Sequence, residues 1–139
     1  MELNDLESRL KKNNVKPTAM RLLILQLLSN KNVAVSLTDL ENHFVKSDRT
    51  TLYRTLKTFV KNHIAHKIDD GTGVTKYALC AEDCHCVIET DLHVHFHCNM
   101  CNETICMPNN KIPPVDLPDG FSAEEVSLIV KGLCNNCYI

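Results

Sequence analysis

Over the first 63 residues apolar positions recur three and four apart, the spacing of helices that bury one face. Leu3, Leu6 and Leu10 in LNDLESRLKK predict a helix over residues 3–12. Thr18, preceded by Pro17, has the chemistry of an N-cap and opens the apolar run AMRLLILQLL. Ser36 with Asp39 three residues on forms a capping-box pattern for a third helix, LTDLENHFV. Ser47 or Asp48 then caps a fourth helix, running roughly over 49–63. In it Leu52, Leu56, Phe59 and Val60 share a face and belong in the core. Thr50, Arg54, Lys57 and Lys61 fall opposite, with Arg49 and Tyr53 near the start. Beyond residue 63 the pattern shortens. Ile64–Ile68 and Val74–Leu79 predict two strands, joined by the strong turn chemistry of Asp69-Asp70-Gly71-Thr72-Gly73. Glu103–Met107 and Val126–Leu133 predict further strands, and Asn109–Gly120 is a loop rich in Pro and Asn. The expected fold class is α+β.

A short helix before a longer basic one is the layout of a helix-turn-helix, whose second helix enters the DNA major groove. Arg and Lys there contact phosphate or guanine, and a tyrosine ring meets a thymine methyl group. Helices followed by a β-hairpin make a winged helix, whose wing usually tracks the phosphate backbone or minor groove. The competing reading of the basic stripe is a solvated helix face. Charge separates the two halves: residues 1–80 carry 13 Lys+Arg against 8 Asp+Glu, and residues 81–139 carry 2 against 9. One half suits a polyanion and the other does not. The expected division is therefore a DNA-binding domain over 1–80 and a second domain over 81–139.

Hydrophobic residues make up 44% of the 139, enough for one domain or two small ones that lean on a partner. No apolar run approaches the ~18 residues of a transmembrane helix. MELNDLESRLKK lacks the apolar core of a signal peptide, so a cytoplasmic protein without a membrane partner is expected. In that reducing compartment eight cysteines point to metal or redox chemistry rather than disulfides.

Cys98-x-x-Cys101 and Cys134-x-x-Cys137 supply four thiolates, a closed tetrahedral set for structural Zn²⁺, one per chain. A redox CxxC or an iron–sulfur cluster is the alternative. The pairs are separated by 32 residues, so the metal would clip the start of the second half to its end. In HVHFHC, strand alternation puts His93, His95 and His97 on one face and Cys98 on the other. His93 and His95, roughly 7 Å apart along the strand, can converge on a second ion. His97 is expected as a strand-end surface residue.

Lys16-Pro17-Thr18-x-x-Arg21, Thr51-Leu52-Tyr53-Arg54-x-Leu56, and His93-x-His95-x-x-Cys98-x-x-Cys101 with the final Cys134-x-x-Cys137 resemble the ferric-uptake-regulator family of metal-dependent repressors. The resemblance covers nearly the whole chain. It implies an N-terminal winged helix, a small C-terminal α/β dimerisation domain with structural zinc, and a metal-loaded homodimer on a palindromic operator. It implies that Tyr53 and Arg54 face DNA and that Lys16 approaches the minor groove. Arg49, Thr50, Thr51 and Lys57 complete the candidate DNA contacts. His93 and His95 match the sensor histidines. Ala34 and Ala78 stand where iron-type members usually carry a histidine and a glutamate, whereas the surroundings of His66 and Cys80 resemble the zinc-uptake branch. His66, Cys80, His93 and His95 would form an N₃S regulatory site suited to Zn²⁺. Cys84, His85 and Cys86 lie in an insert and offer substitute ligands, and Cys106 stands where zinc-type relatives can carry a glutamate.

The expected function is thus a zinc-responsive repressor of metal-uptake genes, with no small-molecule substrate. Its rivals are the same family sensing iron, manganese or peroxide, a zinc-dependent enzyme or thiol oxidoreductase using the His/Cys cluster, and a purely structural zinc module that binds protein. A catalytic zinc needs an open position and a nearby base, and no HExxH-type motif is present.

Overall fold

The computed structural model describes residues 2–30, 33–69, 71–79, 93–111, 113, 115–124 and 126–138; of His93, Cys106 and residues 108–111 it describes the backbone alone. Four helices come first: α1 (Leu3–Lys12), α2 (Ala19–Asn30), α3 (Leu37–His43) and α4 (Arg49–Lys61). The starts of α2, α3 and α4 follow the cap chemistry. Thr18 Oγ1 accepts from the Arg21 N–H at 3.3 Å. Ser36 Oγ accepts from Asp39 N–H at 3.1 Å while Asp39 Oδ2 accepts from Ser36 N–H at 2.9 Å, a complete capping box. Of the two residues that could cap α4, Asp48 does so, accepting from the Thr51 N–H at 2.9 Å.

The apolar stripes meet in one core, where Leu6, Leu10, Leu25, Leu40, Leu56 and Phe59 are buried. Burying a side chain of that size contributes about 1.5–3 kcal/mol. Against this core lies a three-stranded antiparallel sheet of order β1-β3-β2, with β1 at Val35–Ser36, β2 at Ala65–Asp69 and β3 at Thr75–Leu79. The β2–β3 hairpin is the wing. Its turn uses Asp69 Oδ1 as acceptor for the Gly71 N–H at 3.0 Å. Strand β1 was not legible: two residues are too few to show a period.

A second sheet has the order β5-β4-β6, from β4 (His93–Cys98), β5 (Thr104–Lys111) and β6 (Ile129–Gly132). Strand β5 runs further than expected and β6 is shorter. The pairs His95↔Cys106, His97↔Thr104 and Phe96↔Ile105 set the β4–β5 register, and β6 lies parallel to β4 with Phe96 beside Val130. Cross-strand partners share a face. His95, His97 and Thr104 therefore look toward the wing, while Phe96, Ile105 and Val130 form an apolar face whose Ile105 and Val130 are exposed. Between Lys111 and Ile129 no described residue is helical. No helix among the described residues is long and apolar enough to cross a membrane.

Candidate metal centres and nucleic-acid interface

Cys98 ends β4, and a tight turn closed by the Asn102 N–H on the Cys98 carbonyl (2.9 Å) presents Cys101 beside it. Cys134 and Cys137 lie in a second turn, closed by the Cys137 N–H on the Cys134 carbonyl at 3.0 Å. Because β6 runs parallel to β4, with Gly132 beside Cys98, the second turn arrives next to the first. All four sulfurs lie within 4.8 Å of one another, and Cys101 Sγ is 3.9 Å from Cys134 Sγ. A tetrahedral cation with metal–sulfur bonds near 2.3 Å separates its sulfurs by about 3.8 Å, so the cluster has the right size.

Its electrostatics ask for a cation as well. Backbone N–H groups of Cys101, then of Cys134, aim at the enclosed Cys98 sulfur and hold its pKa down at about 6. Cys137 is pushed up to about 12, first by its hydrogen bond with the Cys134 thiol. Adjacent thiolates raise one another, so four cannot ionise together unless a positive charge sits among them.

The second set of donors lies between the wing and the C-terminal sheet. His66 on β2 and buried His95 on β4 approach with Nε2 atoms 3.3 Å apart and rings tilted by 50°. Two nitrogens bound to one tetrahedral zinc at 2.0–2.1 Å are separated by about 3.3–3.4 Å. Without a cation, the same gap fits one ring donating N–H to the other. Cys80, Cys84, His85 and Cys86 lie outside the described residues. The backbone of His93 is in β4, but the ladder shifts register between His93 and Val94, so simple alternation does not by itself carry His93 to the face of His95. His97 departs from expectation. It is buried, with Nδ1 2.9 Å from Thr104 Oγ1, because the wing covers this face of the sheet.

Helix α4 presents Thr50, Thr51, Tyr53, Arg54 and Lys57 to solvent, with Arg49 at its start. Lys16 is exposed before α2, its carbonyl accepting from the Arg21 guanidinium at 2.9 Å. Arg49 is ion-paired with Glu41 of α3, a partner that the basic stripe alone did not reveal.

The profile of the ferric uptake regulator family matches residues 12–117. The chain belongs to the ferric uptake regulator family. Solved structures agree in fold over nearly the whole of this family member. A zinc uptake regulator complexed with zinc and DNA is similar with a TM-score of 0.68 and 22% identity, covering 96% of this chain and 91% of that one. The Vibrio cholerae ferric uptake regulator gives 0.62 and 20%, covering 92% and 98%. The Pseudomonas aeruginosa ferric uptake regulator with manganese gives 0.60 and 20%, covering 97% and 99%. A comparison with curated protein sequences finds no match. The sequence motifs anticipated the four-cysteine cluster and the exposed face of α4. They gave no sign of Lys76 and Asn102, which contact each other between the two halves.

Proposed function

We propose that this family member is a homodimeric, metal-dependent transcriptional repressor that reads palindromic operator DNA and responds to zinc. The observation that carries the reading is the 3.3 Å approach of His66 to His95, one from the wing and one from the C-terminal sheet. Donors on two halves of a chain make their relative placement depend on what they hold. His93 and Cys80 are the proposed further ligands, and three nitrogens with one sulfur favour zinc over iron or manganese. His66 and His95 would hold a divalent cation there through their Nε2 atoms, and it would supply the charge that lets both lone pairs face one point. His66 and His95 then fix the wing on the sheet, and with it the direction of α4.

Tyr53 and Arg54 read base edges in this proposal, with Arg49, Thr50, Thr51, Lys57 and Lys16 on the surrounding backbone and minor groove. Arg49 must exchange Glu41 for DNA to take part. The DNA-binding domain spans 1–80 and the dimerisation domain 81–139. The apolar face of Phe96, Ile105 and Val130, with Ile105 and Val130 exposed, supports a second copy packing there. Cys98, Cys101, Cys134 and Cys137 hold a structural zinc with no open position, unlike a catalytic one. Family members are regulators of transcription, and the enzyme reading has no support of its own.

Titrating zinc into operator-binding assays of wild type, His95→Ala and Cys80→Ser tests the proposal. Both variants should lose zinc-stimulated binding while keeping the dimer and about one zinc per chain. If Cys80→Ser responds like wild type and His95→Ala does not, Cys84 or Cys86 replaces Cys80 as the ligand. Equal responses from all three would end the sensing-site reading.

A further inference from the structure

Lys76 leaves the second wing strand and enters the C-terminal half. It is only 9% exposed, and a lysine is almost never so enclosed unless its ammonium is matched. Nζ donates to the Asn102 carbonyl at 2.6 Å and to Thr104 Oγ1 at 3.1 Å. Asn102 immediately follows Cys101, and its φ of 62° turns the chain out of the cysteine knuckle. Thr104 is fully buried and joins three parts of the molecule. Its hydroxyl meets Lys76 and His97, and its carbonyl accepts from the Ala34 N–H, just before β1, at 2.6 Å. A third approach lies at the wing tip, where a Cβ on Gly71 would come 2.7 Å from Lys131 Nζ of β6.

We propose that Lys76 is a positioning residue that latches the DNA-reading half to the C-terminal sheet at a point separate from the His66–His95 pair. One point of attachment leaves a pivot, and a second removes all rotation except that about the line joining the two. The histidines join β2 to β4, while Lys76 joins β3 to the turn leading into β5, so each blocks rotation about the other. The latch also ends on the residue after Cys101, which links the order of the cysteine knuckle to the wing. Its consequence for regulation rests on the proposed reading of the histidine site; the contact itself does not.

Amide exchange in the full-length dimer tests the latch, with Ala34 as reporter because its N–H crosses between the halves. In Lys76→Met, Ala34 should exchange about ten- to a hundredfold faster, the range for losing a hydrogen bond to a charged group. Amides inside α2 and α4 should stay unchanged, and Lys76→Arg should restore protection to within a few-fold. Thr104→Val, which keeps the shape and the carbonyl, should loosen Ala34 less than Lys76→Met. Zinc stimulation of operator binding should drop several-fold in Lys76→Met with the dimer and the cysteine-bound zinc intact. Wild-type protection of Ala34 in both Lys76→Met and Thr104→Val overturns the proposal. So does an equal acceleration throughout α2 and α4, which marks general destabilisation. Absence of a zinc response in the wild type would defeat the histidine reading, while Ala34 exchange would still decide the role of Lys76.

Discussion

Arg54 and Tyr53 stand on the outside of a helix whose inner face carries Leu52, Leu56 and Phe59, all fully buried. A side chain on so firmly seated a rod is placed in advance, so little ordering remains to be done when it meets a base. Tyr53 is 47% exposed, enough to offer its ring. Replacing Arg54 or Tyr53 by Ala should weaken operator binding by roughly 1–3 kcal/mol and blur sequence preference, as expected for base contacts. Lys57→Ala should weaken all sequences about equally and reduce the salt slope by about one, the mark of a lost phosphate contact. Binding isotherms on operator and scrambled DNA at several salt concentrations separate the two effects. An unchanged operator preference in Arg54→Ala would move the reading face elsewhere on α4.

Helix α3 has only seven residues, too few to persist without help at its ends. The Ser36–Asp39 capping box supplies that help, and Leu40 anchors the helix in the core. Ser36→Ala should cost about 1 kcal/mol, seen as a lower midpoint in denaturant with an unchanged slope. A midpoint equal to the wild type would mean that tertiary packing alone carries α3. Elements of this kind were legible because their causes are local: cap, stripe and turn residues sit within a few positions of one another. The two CxxC pairs were legible for a related reason, since each pair is set by one turn. His97 and Lys76 were not. Their surroundings come from the wing folding onto the second sheet, a contact between residues 26 to 28 positions apart for Lys76, which no period in the sequence encodes.

At the scale of the molecule, a helical core carries the basic face, an acidic half carries the four-cysteine cluster, and buried polar contacts join them. The cysteine cluster lies at the far end of that connection, so its protonation matters beyond its own turns. Cys98, with its pKa held at about 6, is already a thiolate at neutral pH. Cys137, at about 12, is still a thiol, and Cys101 is raised as well. Binding a divalent cation at pH 7 must therefore expel protons from Cys101 and Cys137 but not from Cys98. Below about pH 6 Cys98 is protonated too and adds one more. The sign follows: protons compete with the metal, so affinity falls as pH falls, and falls more steeply once pH drops through about 6. Calorimetry of zinc binding to the reduced, metal-free protein, repeated in buffers of different ionisation enthalpy, counts the protons directly. With the histidine pair removed by His66→Ala and His95→Ala, the count should rise by about 0.7 between pH 7.5 and pH 5.5. Cys98→Ser should lose tight binding at the cluster and the thermal stability of the C-terminal sheet. A proton count that stays level across this range in the protein without the histidine pair would show that Cys98 is not the acidic member of the cluster.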